Sequence, residues 1–390
     1  MKNCRVGISF IDRILVILLF SSLTCISCTF RNNCNNRIAN FNEIKLVDSL
    51  ATFETKALFY NLRKISSNNI LFGQEDATAY GVGWKNEDLR SDINDICGTF
   101  PSLYGWDFGN IGSALYNIDS VNFDRIKFWI KSAYGRGGVN TISWHMFNPK
   151  TGNGPNDTTH TVEDILPGGN LHHSYIKQLD CIADFILDLK SKNGTLIPVI
   201  FRPFQDMNTN SFWWGAKFCS PGQYKELWKF TVNYLKGTRN VHNILYAYSS
   251  GKFYNEEAYL ERFPGNEYAD ILGLDCYDCF DSVKTVPAAI SQIRIIVNLA
   301  KKENKIAALT ETGMKCIPAV DWFTGHLLNP LKSDSIARKV SYVMVWRNSD
   351  KSDFYVPYAG HPAIKDFIKF ENDPYTLFEY DMPKMYEIEK

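Results

Sequence analysis

Residues 196–206 read LIPVIFRPFQD, and this short stretch contains the pattern that decides the fold. Its first half is an apolar, β-branched run, which is typical of a buried strand. Its second half places Arg202, Gln205 and Asp206 directly behind that run. A buried strand that ends in a group of polar side chains is typical of the parallel sheets of α/β proteins.

The same pattern recurs along the chain, with amphipathic stretches between the runs. Strands are predicted over residues 70–75, 102–106, 140–146, 196–202, 243–249, 270–276, 307–311 and 342–347. Helices are predicted over residues 123–134, 175–190, 223–235 and 288–301. This alternation predicts an α/β fold, a single (β/α)8 TIM barrel over residues 67–385. A doubly wound open sheet is the alternative, but no GxGxxG turn follows the early strands.

The first 28 residues are predicted to form a cleaved leader rather than part of the fold. Basic residues precede an apolar run that begins at residue 14, which is typical of a signal peptide. The run ends in LTCISC, where Cys28 stands at the position that a bacterial lipoprotein would lipidate. An ordinary secretory signal cut nearby is the alternative. We expect an exported bacterial protein, periplasmic or on the outer membrane or cell surface, with a lipid anchor on Cys28 and a lead-in over residues 29–66.

Charge and composition narrow the classes of partner. The chain carries 42 Lys and Arg residues against 42 Asp and Glu residues, so its net charge of zero gives no reason to propose a nucleic-acid partner. Aromatic residues make up 14% of the chain. A hydrophobic core can absorb them, but flat aromatic rings also suit the binding of sugars.

Cysteine usage gives a second expectation. Of the ten cysteines, seven remain after the leader is removed, so at least one is free or pairs outside the chain. Cys276 and Cys279 have the spacing of a redox or zinc pair, but no second pair follows at zinc-finger spacing. We therefore expect them to be separate buried thiols.

Two carboxyl groups stand where a barrel performs its chemistry, at the carboxyl ends of strands. Asp206 stands at the end of the fourth predicted strand and Glu311 at the end of the seventh, and these strands lie on opposite sides of an eight-stranded barrel. Their side chains can therefore converge over its mouth, and two such groups are the minimum for glycoside hydrolysis. Tyr277, after the sixth strand, can hydrogen-bond Glu311 and orient it, and Arg202 can pair with a carboxylate.

Other carboxylates near the predicted mouth have simpler interpretations. Asp107 and Asp275 are expected to anchor backbone or basic groups. For Asp76, the binding of a distal sugar and the capping of a turn both remain open.

The residues around Asp206 carry a family resemblance. Residues 202–206 (RPFQD) with 212–215 (FWWG) resemble the Arg-Pro-x-His-Glu…Phe-Trp-Trp-Gly block of glycoside hydrolase family 26, which consists mostly of endo-β-1,4-mannanases. Residues 310–313 (TETG) are similar to the nucleophile segment of that family, and residues 144–149 (WHMFNP) to its third-strand segment. The resemblance extends from about residue 72 to residue 378.

The resemblance implies a (β/α)8 barrel that hydrolyses β-mannan or manno-oligosaccharides by a retaining double displacement, without metal or organic cofactor. Glu311 is then the nucleophile, Tyr277 orients it, and His145 binds the sugar where cleavage occurs. We expect the protein to be a monomer. Further substrate-binding or orienting roles, including three candidate stacking platforms, fall on Arg202, Gln205, Trp106, Trp214 and Trp346.

Three positions depart from the family pattern. Asp206 stands in place of the acid/base Glu, Gln205 in place of His, and Ser211 where many members have Trp. Asp is one methylene shorter than Glu, and a displacement of about 1 Å in a catalytic group can cost on the order of a hundredfold in rate. Three hypotheses remain: a working β-mannan hydrolase that uses Asp206, a weakened β-mannan-binding surface lipoprotein, and a hydrolase of another β-glycan.

Overall fold

The predicted barrel is present in the computed structural model, which describes residue 41 and residues 43–388. Eight parallel strands pair in sequence order, and the last pairs with the first to close the sheet. A short hairpin follows the first barrel strand. A further two-residue strand near the end of the chain pairs with the start of the first barrel strand. The strands are β1 (Ile70–Glu75), β2 (Tyr80–Gly81), β3 (Trp84–Lys85), β4 (Leu103–Asp107), β5 (Val139–Trp144), β6 (Val199–Pro203), β7 (Ile244–Ser250), β8 (Ile271–Asp275), β9 (Ile306–Thr312), β10 (Tyr342–Val345) and β11 (Thr376–Leu377).

Helices connect the strands around the outside of the barrel. They are α1 (Phe53–Ile65), α2 (Asp92–Cys97), α3 (Phe123–Gly135), α4 (Val162–Ile165), α5 (His172–Leu187), α6 (Pro221–Asn233), α7 (Glu256–Leu260), α8 (Val286–Lys302), α9 (Asn329–Ser333) and α10 (Ile364–Glu371). The start of α6 follows from its sequence, because Ser220 and Gln223 form a reciprocal capping box and Pro221 occupies the first turn. The end of α8 carries Lys301 and Lys302, which suit the negative end of the helix dipole.

Residues 45–388 form one compact unit, which includes α1 from the predicted lead-in. The few described residues before Lys45 belong to a separate unit. The predicted leader, with Cys28, lies outside the described residues. Within the described part of the chain, no helix is long and apolar enough to cross a membrane.

The outer face of the barrel packs against the helices. Phe72 of β1 contacts Phe367 and Phe370 of α10, with ring centroids 5.6 and 5.1 Å apart. Trp144 of β5 stacks on Tyr175 of α5 at 6.1 Å. Because successive side chains of a strand point to opposite faces, the alternate residues of each barrel strand point into the barrel.

The predicted strands lie within a few residues of the observed ones. Residues 70–75 are the exact extent of β1. The strand predicted over residues 196–202 begins only at Val199. Pro198 lacks a backbone N–H and cannot donate to a sheet ladder, which accounts for the later start.

Candidate active site

Glu311 lies at the mouth of the barrel, near the end of β9, and is 4% exposed. Its Oε2 accepts a hydrogen bond from the hydroxyl of Tyr277 at 2.7 Å. Its Oε1 accepts one from Nη2 of Arg202. Both carboxylate oxygens are therefore held, which fixes the direction of the group, as the sequence predicted for Tyr277.

Arg202 projects into the centre of the barrel from β6. Its Nη1 lies 3.2 Å from Oδ2 of Asp275 and 3.3 Å from the hydroxyl of Ser249. Burial alone would lower the pKa of Arg202, but the charges of Glu311 and Asp275 raise it. Burial raises the pKa of Asp275 to about 6, against the opposing effect of Arg202. Asp275 thus anchors a basic group, as predicted.

Asp206 follows β6 and is partly exposed. Its backbone N–H donates to the carbonyl of Ser249 at 3.1 Å, which ties the loop to β7. Burial, followed by the charges of Asp275 and Glu311, raises the pKa of Asp206 well above its usual range. A raised pKa favours the protonated carboxyl group that a general acid requires.

The backbone at the end of β6 has an uncommon conformation. Phe204 and Asp206 both lie in the left-handed region, with φ of 53° and 56°. Such a conformation is unfavourable for residues other than glycine, although Asp tolerates it better than Phe. Strain of this kind persists where the surrounding structure enforces it, and it clusters at functional sites.

His145 lies beside this loop and contacts both Asp107 and Gln205. Its Nδ1 is 2.7 Å from Oδ2 of Asp107, and its Nε2 is 2.9 Å from the side-chain amide of Gln205. Burial alone would lower the pKa of His145, but the charge and hydrogen bond of Asp107, with Glu311, outweigh it and raise the pKa to about 9. A protonated His145 donates from both ring nitrogens, so in that state it is the amide oxygen of Gln205 that faces Nε2. Asp107 anchors His145, as predicted.

The prediction that Trp106 is a stacking platform is wrong. Trp106 precedes Asp107 on β4, so the alternation of the strand turns its ring away from the barrel interior. The ring is fully buried and stacks on Trp129 of α3 at 5.9 Å. Its indole N–H donates to Asn140 at 3.0 Å. Trp106 therefore belongs to the hydrophobic layer between strands and helices.

The prediction that Trp214 is a stacking platform is also wrong. The ring is fully buried and stacks on Phe212 at 4.7 Å. Its indole N–H donates to the backbone carbonyl of Gln205 at 2.8 Å. Trp214 therefore supports the loop that carries Gln205 and Asp206 from behind.

Trp346 remains a candidate for contact with a sugar. It follows β10, is partly exposed, and meets the ring of His145 edge to face at 5.8 Å. The ring of Phe212, which is buried, also meets the imidazole of His145, with ring centroids 5.3 Å apart.

The sequence did not predict a cavity of about 670 Å³, whose lining includes Arg347, the residue directly after Trp346. The lining also includes Tyr80, Trp84 and Asp119. The side chain of Arg347 forms an ion pair with Asp119, with Nε 2.8 Å from Oδ1. The cavity therefore combines aromatic rings with charged hydrogen-bonding groups.

Asp76, which is 1% exposed, contacts Tyr80 of the cavity wall. It accepts a hydrogen bond from the hydroxyl of Tyr80 at 2.7 Å. Its backbone carbonyl accepts one from Ala79, so the residue starts a turn. Of the two alternatives for Asp76, these contacts favour the structural one.

Cys276 and Cys279 form a disulfide, so the prediction of separate thiols is wrong. The chain folds back directly after β8 and brings the two Cα atoms to 5.5 Å, within the range that a disulfide spans. Among the described residues, the free cysteines are Cys97, Cys181, Cys219 and Cys316.

Comparison with known proteins identifies the family. Two solved structures are closely similar: a family 26 β-mannanase from Bacteroides ovatus and GH26C from Muricauda sp. MAR_2010_75, each with a TM-score of 0.83. The first is 40% identical and covers 87% of this chain and 98% of its own. The second is 35% identical and covers 88% and 96%.

A curated relative, a mannan endo-1,4-β-mannosidase from Bifidobacterium adolescentis, is 36% identical over 364 residues. That match covers 87% of this chain and 36% of the relative, so the chain spans about a third of its length. The family model for glycosyl hydrolase family 26 matches residues 47–368. The chain therefore belongs to glycosyl hydrolase family 26.

Proposed function

We propose that the protein is a retaining glycoside hydrolase that cleaves β-1,4-linked mannan or manno-oligosaccharides. The observation that carries the proposal is the double hold on Glu311, by Arg202 on one oxygen and Tyr277 on the other. A carboxylate that is aimed in this way is suited to attack rather than to proton transfer. The substrate class rests on relatives named as mannan endo-1,4-β-mannosidases.

In the first step, Glu311 attacks the anomeric carbon of the sugar as the glycosidic bond breaks. Asp206 donates its proton to the departing oxygen, so the leaving chain departs as an alcohol. Arg202 and Tyr277 keep the attacking carboxylate in line. The raised pKa of Asp206 supports its part, because the group must be protonated when substrate binds.

In the second step, the ionised Asp206 accepts a proton from a water molecule while that water attacks the anomeric carbon. The bond to Glu311 breaks, and its carboxylate returns to Arg202 and Tyr277. The sugar leaves with its original anomeric configuration, and Asp206 is protonated for the next cycle.

Sugar-binding roles are proposed for the groups around the two carboxyls. His145 and Gln205, which contact each other, are proposed to bind a hydroxyl at the cleavage point. Trp346 offers a partly exposed ring. The cavity lined by Asp119 and Arg347 provides polar contacts for further sugar units.

The first experiment measures products released from linear β-1,4-mannan and from mannohexaose by the wild type and by Glu311→Ala. We expect reducing sugar from the wild type only, and the product sizes separate endo from exo action. Exposed Lys301, changed to Ala, is the matched control and should keep full activity. Binding without any release would instead support the surface binding protein. Release from another β-glycan alone would support the third hypothesis.

We also propose that the protein is exported as a monomer and anchored to a bacterial membrane by lipid on Cys28. The leader sequence supports export. The disulfide between Cys276 and Cys279 suits an oxidising compartment. Metabolic labelling with palmitate tests the anchor: the wild type should take up label and move to the membrane fraction, whereas Cys28→Ser should do neither. Sedimentation of the leaderless protein tests the monomer.

A further inference from the structure

The disulfide between Cys276 and Cys279 encloses Tyr277, the residue whose hydroxyl contacts Glu311. Cys276 directly follows β8, and Cys279 comes three residues later. Both cysteines are nearly fully buried, with exposed fractions of 3% and 4%. The cross-link is therefore part of the packed base of the active-site loop rather than a surface feature.

The ends of this loop are fixed by hydrogen bonds. The backbone N–H of Cys276 donates to the carbonyl of Glu311 at 2.8 Å. The carbonyl of Cys276 accepts from the hydroxyl of Thr312 at 2.9 Å. At the other end, the carbonyl of Phe280 accepts from the indole N–H of Trp322 at 3.1 Å.

The middle of the loop has weaker restraints. Asp278 forms an ion pair with Lys252, but both side chains are more than half exposed, and exposed pairs contribute little. The ring of Tyr277 meets Tyr355 at 5.7 Å. The disulfide is the covalent restraint that joins the two fixed ends directly across Tyr277.

We propose that the disulfide between Cys276 and Cys279 is a positioning element of the active site, which keeps the hydroxyl of Tyr277 on Oε2 of Glu311. This inference rests on the proposed role of Glu311 as nucleophile. A disulfide that closes so short a loop restricts the unfolded chain less than one that closes a long loop. Its main effect is therefore expected on the geometry of Tyr277, with a smaller effect on global stability.

The test is the double variant Cys276→Ala/Cys279→Ala, assayed on mannohexaose. We expect kcat to fall on the order of tenfold to a hundredfold, because a displacement of about 1 Å has that effect. We expect KM to stay within about twofold, because the lost contact acts on the nucleophile. The matched control, Cys97→Ser/Cys181→Ser, removes two thiols that lie outside the site and should leave both constants unchanged.

Tyr277→Phe provides a second arm that a merely structural role would not satisfy. If the disulfide acts through the hydroxyl of Tyr277, adding the two cysteine substitutions to Tyr277→Phe should lower kcat by less than about twofold further. A full additional loss in that background, or wild-type kcat in the double cysteine variant, would overturn the inference. Cys276→Ser/Cys279→Ser is the second pair to use if the Ala pair does not fold.

A readout independent of turnover keeps this inference separate from the proposed function. Crystal structures of the wild type and the double variant give the distance from the hydroxyl of Tyr277 to Oε2 of Glu311. We expect it to lengthen from 2.7 Å to beyond hydrogen-bonding range. An unchanged distance would overturn the inference even for an active enzyme. A wild type that cleaves no β-glycan would overturn the proposed function and leave this comparison intact.

Discussion

Gly251 leaves free the space that the carboxyl of Asp206 occupies, because a Cβ atom built on Gly251 would lie 2.8 Å from Oδ1. The same atom would lie 2.7 Å from the methyl group of Thr209. Gly251 directly follows β7, to which the backbone N–H of Asp206 is already bonded. The position of the Asp206 side chain, which is one methylene shorter than the Glu of the family, therefore depends on Gly251 in the neighbouring loop.

Gly251→Ala should displace Asp206 and lower kcat on mannohexaose on the order of a hundredfold, since a shift of about 1 Å in a catalytic group has that effect. Thermal unfolding should show that the fold is retained. Gly237→Ala is the control, because a Cβ there meets nothing within 4 Å. Equal kcat values for Gly251→Ala and the wild type would contradict the dependence.

Asp206→Asn should remove the acid and lower kcat/KM on mannohexaose by about 10²–10⁴-fold. In the wild type, kcat/KM should fall on the alkaline side as Asp206 loses its proton, at a pH above its usual range because its pKa is raised. The variant should lack that alkaline limb. Aryl mannosides with acidic leaving groups should suffer less, since their departure needs no proton. A variant with the wild-type profile would exclude Asp206 as the acid.

Arg202→Met should destabilise the fold by about 3–5 kcal/mol at pH 8, because it leaves Glu311 and Asp275 buried without their cation. Burial keeps the pKa of Asp275 at about 6 even with Arg202 beside it, and the loss of Arg202 raises it further, so this carboxyl is neutral in the variant at pH 5. The destabilisation should therefore be smaller at pH 5. Urea unfolding at both pH values measures it, with the exposed Arg294→Met as control. An equal loss in both variants would refute the role of Arg202.

The barrel could be predicted from the sequence because its strands are buried on both faces. Such strands contain apolar runs, and β1, which begins with Ile70, Leu71 and Phe72, has the limits that the sequence predicts. The hairpin of β2 and β3 could not, since strands of two residues carry no periodic pattern. The sequence therefore did not predict that Tyr80 of this hairpin lines the cavity.

The site could be predicted where its residues lie at the ends of strands. Glu311 lies near the end of β9 and Tyr277 just after β8, and a hydrogen bond joins them. The ion pair of Asp119 and Arg347 depends on closure of the barrel, which brings together residues far apart in the chain. The prediction for Trp106 failed because neighbouring side chains of a strand point to opposite faces. Asp107 points into the barrel and contacts His145, so Trp106 points outward.

The disulfide had an ambiguous signal. A C-x-x-C spacing fits redox pairs, zinc sites and separate thiols alike. Whether Cys276 and Cys279 bond depends on how sharply the chain turns after β8, and that turn is set by long-range hydrogen bonds to residues such as Glu311.

His145 should make stability depend on pH, because its pKa in the folded protein is about 9 against about 6.5 for an unfolded chain. Burial opposes this shift, but Asp107 outweighs it. A raised histidine pKa stabilises the fold fully below pH 6.5, and the contribution is lost as the pH rises through 9. The side chain is 13% exposed, so the effect can reach about 3 kcal/mol.

Urea unfolding of the wild type and His145→Gln at pH 6 and pH 9.5 measures this contribution. The variant should be less stable than the wild type at pH 6, and the gap should narrow at pH 9.5. Groups other than His145 titrate in both proteins and cancel in the comparison. Gln keeps a donor that can reach Asp107, so the gap reports the charge rather than the hydrogen bond alone. A gap that stays constant between the two pH values would show that His145 is neutral in the fold.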